Sequence, residues 1–240
     1  MRRPPPAEEG WCWIPEGGSV QGDTIGVGQE DERPARLVRL PAFWLAKFEA
    51  TNAEYAAFLN DVGAADEKWL NLESHKCMIK REGGRFASTE PRLPVVTVSW
   101  HGAQAYCAWL TKKTGRAHRL PTEAEWEKAA RGPESFMYAY GNVYTQKKAN
   151  QESGRICAVG SFAPNGFGLQ DMTGNVFEWV KDSYDRHLYA HPDRPEPSEY
   201  HVLRGGSFVL DGVYLRNPFR MRYRPGVQAD DIGFRVLREP

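Results

Sequence analysis

The stretch Pro121-Thr122-Glu123-Ala124-Glu125-Trp126-Glu127-Lys128-Ala129-Ala130-Arg131-Gly132-Pro133 decides the fold, because it is the last place where the chain keeps a helical period. Thr122 followed three positions later by Glu125 is a capping box, in which each side chain satisfies an orphan backbone N–H of the first turn. Gly132-Pro133 then stops the helix, so the spacing predicts a helix over 123–131. Beyond Gly132 the 3.6-residue period is gone, and glycine, aromatic and asparagine turns replace it. Two helices precede it. Thr51 and Glu54 form a second capping box, and Tyr55, Phe58, Leu59 and Val62 share one face, which predicts a helix over 52–62. Ser99 opens a third segment over 100–113, with Ala103, Tyr106, Cys107 and Leu110 on one stripe and a stop near Gly115.

Short strands fill much of the rest. Trp11–Pro15 reads as one and Glu16–Ser19 as a turn. Ala35–Leu45 reads as a strand that bends at Pro41, and His201–Arg204, Phe219–Tyr223 and Gly233–Leu237 read as short antiparallel pieces. No linker divides the chain. The expectation is a single α+β domain over 11–240, with short antiparallel strands, about three helices and much irregular structure, behind a flexible N-terminal tail over 1–10.

Composition excludes several classes of function. The chain has 240 residues, of which 41% are hydrophobic and 26% charged, the profile of an ordinary globular protein. Its 31 Lys and Arg match its 31 Asp and Glu, so no basic field draws it to nucleic acid or an anionic membrane, and neither partner is expected. No apolar run approaches the roughly 20 residues of a membrane helix. Met1-Arg2-Arg3 has no apolar segment behind it, so no secretory signal is read and a cytoplasmic location is expected. Cys12, Cys77, Cys107 and Cys157 form no C-x-x-C pair; two disulfides are arithmetically open, but reduced, packed thiols are the favoured reading.

Few residues announce chemistry. His187 and His191 have a metal-like spacing but lie in a loop-like stretch, where solvated histidines are the commoner outcome. No G-x-S-x-G, P-loop or G-x-G-x-x-G is present. Phe167–Trp179 is rich in oxygen ligands: Asp171 and Glu178 offer carboxylates and the glycines permit a tight turn. A Ca²⁺ ion takes six to eight such oxygens, although spacing alone favours a hydrogen-bonded turn. Arg204, Arg216, Arg220, Arg222, Arg224, Arg235 and Arg238 crowd the end of the chain among Asp211, Asp230, Asp231 and Glu239. That interleaving favours arginines bridging loop carbonyls and carboxylates over an anion site.

A series of segments carries a family resemblance. In order they are Trp13-Ile14-Pro15-Glu16-Gly17-Gly18, Phe48-Glu49-Ala50-Thr51-Asn52, Arg119-Leu120-Pro121-Thr122-Glu123, Gly174-Asn175-Val176-Phe177-Glu178-Trp179 and Leu203-Arg204-Gly205-Gly206-Ser207, closed by Gly233-Phe234-Arg235. With these the chain resembles the formylglycine-generating enzymes, or sulfatase-modifying factors, from about Trp11 to Leu237. The resemblance implies a single C-type-lectin-like domain. It also implies a structural Ca²⁺ held by the Asp171 side chain, the Gly174 and Val176 carbonyls and the Glu178 side chain. A second Ca²⁺ site of the family maps in part onto Asn150 and Gln151, where no aspartate follows before Gly160.

One departure bears on activity. The family oxidises a cysteine of its client with O₂ at a copper ion held by two cysteines, soft ligands that suit Cu(I). The corresponding positions here are Leu210 and Leu215, so copper is not expected and cysteine oxidation is expected to be absent. Two classes of function remain. One is a non-catalytic module that binds a protein or small molecule at its C-terminal loops, as in the variable proteins of diversity-generating retroelements or a partner subunit. The other is a divergent oxidase or biosynthetic enzyme with pocket residues such as Ser207, Asp211, Arg216 or Tyr223. On the favoured first reading, Asp211, Tyr214, Arg216, Arg220 and Tyr223 line a groove, with Asp211 and Arg216 its polar determinants and Tyr214 its aromatic anchor.

Overall fold

The computed structural model describes residues 5–240. It opens with β1 (Trp11–Ile14), β2 (Gly17–Gln21), β3 (Arg36–Leu40) and β4 (Phe43–Ala46). Next come α1 (Asn52–Val62), β5 (Ile79–Glu82), β6 (Arg85–Ser88), α2 (Trp100–Thr114), β7 (His118–Arg119) and α3 (Glu123–Arg131). A long irregular stretch then leads to β8 (Phe177–Ser183), β9 (His201–Arg204), β10 (Met221–Tyr223), β11 (Ile232–Phe234) and β12 (Leu237–Arg238).

All three helices begin where the capping residues stand. Thr51 N donates to Glu54 Oε2 at 2.8 Å and Glu54 N returns a bond to Thr51 Oγ1, and Thr122 and Glu125 repeat the arrangement on α3. Ser99 caps α2 by accepting from Gly102 N at 3.0 Å, and Gly115 (φ 71°) ends it in the left-handed conformation that glycine adopts without cost.

The strands depart from the expected pattern in four places. The residues read as a turn, Gly17–Ser19, already belong to β2, which pairs antiparallel with β3. Pro41, which cannot donate to a ladder, divides the expected long strand into β3 and β4. Gly233–Leu237 likewise divides: β11 joins one sheet and β12 another. The first three residues of β8, Phe177 to Trp179, fall inside the stretch read as an oxygen-rich turn, and β11 pairs with β8 in parallel, Ile232 opposite Phe177. Phe177 to Val180 are all buried, so the strand has no alternating pattern to betray it. The N-terminal boundary also moves. Gly10 O accepts from Lys47 N, and Glu8 pairs with Arg238 at 2.8 Å, so Glu8–Gly10 belong to the fold rather than to a tail. Residues 1–4 of the expected tail lie outside the described residues.

Two four-stranded sheets organise the molecule, in the orders β1-β4-β12-β7 and β10-β9-β8-β11. Tyr55 and Phe58 of α1, Tyr106 of α2, Trp179 of β8 and Phe234 of β11 form the larger core; the Tyr55 and Tyr106 rings stack at 5.8 Å. A second core joins Ile14, Phe43 and Leu45 to Trp126 of α3, Val180 and Leu237. The four cysteines are free thiols. No helix among the described residues is long and apolar enough to cross a membrane.

Candidate functional site

β9 ends in Arg204, and the chain reverses at once through Gly205 (φ 95°) and Gly206 (φ 75°). A Cβ on Gly206 would lie 2.3 Å from the Leu215 side chain, so both the conformation and the space require glycine. Ser207 then anchors the loop: its Oγ donates to Asp231 Oδ2 at 2.8 Å, and Phe208 N donates to Asn175 O at 2.9 Å. The segment Gly212–Leu215 forms a 3-10 turn, fixed from behind by Tyr138 Oη donating to Gly212 O at 3.0 Å. Leu215 is buried against Met137 and Tyr138, and Leu210 packs on the same cluster. Positions 210 and 215 therefore turn hydrocarbon, not thiol, toward the interior.

Of the five residues expected to line a groove, three are exposed and two are buried. Asp211, Tyr214 and Tyr223 reach solvent. Arg216 and Arg220 do not: both are buried, contrary to the expectation that they line that surface. Arg216 makes a bidentate pair with Glu32 at 2.7 and 2.8 Å, and Arg220 makes one with Glu123 at 2.7 and 3.0 Å. Arg220 also donates to the Asp31 and Asp185 carbonyls, so it bridges loops beneath the surface. The planar guanidinium matches a carboxylate fork, which draws it inward once an acid is available there. In their place the loop shows apolar side chains that the sequence reading missed. Val209 is 53% exposed and Val213 is 56% exposed. Half-exposed Tyr144 stands beside them, its ring so close to Gly212 that an added Cβ would fall 2.4 Å away. Nothing in the residue order marks Val209 or Tyr144; their exposure follows only from what packs behind them.

A buried ion network supports this surface. Arg204 donates to Glu123, to Glu127 and to the carbonyls of Asn217, Pro218 and Phe219, while Arg131 closes the other side of Glu127 at 2.8 Å. Burial pushes the Glu123 carboxyl up, but Arg220 and Arg204 outweigh it and hold the group below the ordinary carboxylate range. Removing one member of such a pair costs about 3–5 kcal/mol, because its partner is left charged and buried.

A second cluster surrounds Arg235. Glu178 accepts from Arg235 at 2.6 and 2.7 Å and from Trp126 Nε1 at 2.7 Å, so both of its oxygens are engaged. Asp171 (φ 58°) accepts from Gly160 N at 2.6 Å through Oδ2, while its Oδ1 is buried without a partner. Gly174 (φ 77°) passes so near Asn150 that a Cβ would meet its carbonyl at 2.3 Å, and Val176 is buried beside it. The orphaned Asp171 oxygen fits a cation, and Glu178 fits one only as a shared ligand. Glu49, quoted in a family segment but not expected as a site residue, is buried nearby in the hydrogen-bond network: Oε1 accepts from Asn175 Nδ2 at 3.0 Å and Oε2 is a second buried orphan. Burial, then the Asp171 charge, pushes the Glu49 carboxyl well above its usual range.

Among the described residues no three His, Cys, Asp or Glu side chains form a ready metal cage, so backbone carbonyls would have to complete any site. His187 and His191 are exposed, joined only by a turn bond from His191 N to His187 O. Asn150 spends its side chain on Asn175, Arg155 and Ser153, which leaves little of it for the second implied Ca²⁺.

Over residues 2–240 the sequence matches the family described as sulfatase-modifying factor enzyme 1-like domain. The chain belongs to that family. It is 31% identical to the formylglycine-generating enzyme of Streptomyces coelicolor over 293 aligned positions, covering 98% of this chain and 91% of that enzyme. It is 36% identical to the serine/threonine-protein kinase pkn1 of Chlamydia pneumoniae over 236 residues, covering 93% of this chain and 37% of that protein. The chain thus spans little more than a third of the length of the curated relatives it matches first. Among solved structures, PvdO from Pseudomonas aeruginosa superposes on this family member with a TM-score of 0.79 at 31% identity, covering 96% of this chain and 94% of that one. The single α+β domain expected from the helix caps and short strands is the fold of this family.

Proposed function

We propose that this chain is a binding module on the formylglycine-generating-enzyme scaffold, which recognises a protein or small-molecule ligand with the loop after Ser207 and does not oxidise cysteine. The observation that carries the reading is the packing of Leu210 and Leu215 with Tyr138 and Met137, at the positions where the family resemblance would put the copper cysteines. A leucine has no lone pair for a metal, and its burial stiffens the base of the loop instead. The outer side of that loop bears Val209, Val213 and Tyr214, with Asp211 beside them as a charged determinant. A tyrosine on a rigid base gives large contact area with only two side-chain torsions to freeze, the feature that recognition loops use.

Two measurements test this. A pull-down from the native host is expected to lose its partners with Tyr214→Ala or Asp211→Ala, each checked by circular dichroism to be folded. Retention of every partner by both folded variants places recognition elsewhere. A sulfatase-derived peptide incubated with protein, copper and reductant is expected to keep its cysteine, and formylglycine in the product would overturn the non-catalytic reading.

The same reading includes a structural Ca²⁺ on the Asp171 and Glu178 side chains with the Gly174 and Val176 carbonyls. A hard cation supplies charge neutralisation there and ties the turn to β8. Because it binds the native state alone, excess EDTA is expected to lower the melting temperature. An unchanged transition, with no metal in the purified protein, would count against it.

A further inference from the structure

The loop between β2 and β3 carries two apolar side chains into solvent, Ile25 at 62% exposure and Val27 at 60%. It is nevertheless firmly held. Asp23, buried at its start, accepts from Ile25 N at 3.0 Å, Gly26 N at 3.1 Å and Gly28 N at 2.7 Å. A charged acceptor on three backbone donors fixes the turn, and with it the direction in which Ile25 and Val27 leave it.

This loop abuts the one after Ser207. A Cβ on Gly28 would overlap the Glu32 carboxylate and lie 3.0 Å from Arg216 Nη1. Arg216 Nε in turn donates to Val213 O at 2.9 Å. One guanidinium therefore bridges the two loops, with Val27 beside Gly28 on one side and Val213 on the other. Val209 and Tyr214 extend the apolar surface along the second loop. A patch assembled from separate loops, unlike a lone exposed aliphatic side chain, marks a contact with another macromolecule.

Each loop also bears an unmatched charge. Arg33 is exposed and donates only to the Gly28 and Gln29 carbonyls, at 3.3 Å. Asp211 is exposed at the start of the 3-10 turn. The ion pairs beside them use other groups, Arg186 with Glu30 and Arg216 with Glu32, so among the described residues both charges stay unpaired. An apolar surface with a free base on one loop and a free acid on the other complements itself on rotation by a half-turn, since the two pairings are then made reciprocally. The 31 basic and 31 acidic residues leave no net charge to hold two copies apart. Loops already held in place lose little freedom on docking.

We propose that the loop over 23–28 and the loop after Ser207 form one surface through which two copies of this chain associate about a two-fold axis, Arg33 of each copy pairing with Asp211 of the other. This rests on reading the loop after Ser207 as a binding surface and names a second copy of the chain as its occupant.

The test is sedimentation of the purified chain over about a hundredfold range of concentration, across which wild type is expected to pass from monomer to dimer. Val27→Asp places a charge at an exposed apolar position, outside the core, and is expected to weaken the dimer by about tenfold or more. Arg33→Glu and Asp211→Arg are each expected to weaken it by setting like charges against each other, with circular dichroism checking that every variant is folded. Mixed together, these two variants are expected to associate more tightly than either does alone, because each copy then offers the charge that the other lacks. Damage to a loop would not produce that gain. Wild type that stays monomeric throughout overturns the proposal, as does a dimer that Val27→Asp leaves unchanged or a mixture no tighter than its separate components. The binding reading keeps its own readout: if wild type is monomeric while Tyr214→Ala still loses partners in the pull-down, that reading stands and self-association falls.

Discussion

Arg216 and Glu32 meet across 184 positions of sequence, through two bonds of 2.7 and 2.8 Å. That buried pair, rather than the exposed side chains above it, ties the loop after Ser207 to the N-terminal half of the chain. Glu32→Gln is expected to destabilise the protein by about 3–5 kcal/mol in a urea melt, while Tyr214→Ala stays within about 0.5 kcal/mol. A second residue-scale prediction concerns pH. Burial, then the charge of Glu123, pushes the Asp182 carboxyl from 3.8 to about 6. Its Oδ2 accepts from Glu123 N at 2.7 Å, a bond that an asparagine oxygen can keep. A carboxylate whose folded pKa is raised holds its proton more firmly when folded. Its contribution is therefore greatest at acid pH and declines as pH rises from about 4 to about 6. Asp182→Asn is expected to remove that decline, gaining about 1–2 kcal/mol at pH 7 after allowance for water at the group, and nothing near pH 3. Glu123, held low, has the opposite sign: its contribution is complete above the ordinary carboxylate range and is lost on acidification.

At the scale of elements, legibility followed the kind of signal each one carries. α1 and α3 were legible because their capping boxes are local, written within four consecutive residues. β8 was not, because a strand buried on both faces has no period, and its neighbour β11 lies far along the chain. The hairpin β5–β6 did carry a signal, Gly83-Gly84 between Ile79–Glu82 and Arg85–Ser88, and it went unread. The candidate site divides the same way. Asp211, Tyr214 and Tyr223 could be placed from the loop's glycine frame, whereas the burial of Arg216 and Arg220 depends on acids in the N-terminal half and in α3. Glu49 escaped for the same reason: one glutamate before a helix has no local mark of its partners. The glycine frame is itself testable. Gly206→Ala puts a Cβ into the left-handed region and against Leu215, and is expected to cost about 1–3 kcal/mol, read as a lower urea midpoint with an unchanged slope.

The ion networks and both four-stranded sheets of the molecule draw on distant parts of the chain, which is expected to tie them into one cooperative unit. Thermal unfolding followed by near- and far-ultraviolet circular dichroism is expected to give a single, coincident transition. Two separated transitions would mean that the two sheets melt independently. The sheet order also dictates when the molecule can form at all. β12 lies between β4 and β7, pairing Leu237 with Leu45 on one side and with Arg119 on the other. On the ribosome, β4 and β7 are both outside the exit tunnel long before the segment that belongs between them has been made. The nascent protein thus waits with an unfilled slot at the middle of a sheet, two unpaired edges facing each other. Such non-local closure makes for slow folding, on the order of milliseconds to seconds. In a series of stalled chains of increasing length, protease resistance is expected to appear abruptly, only once Arg238 has cleared the tunnel.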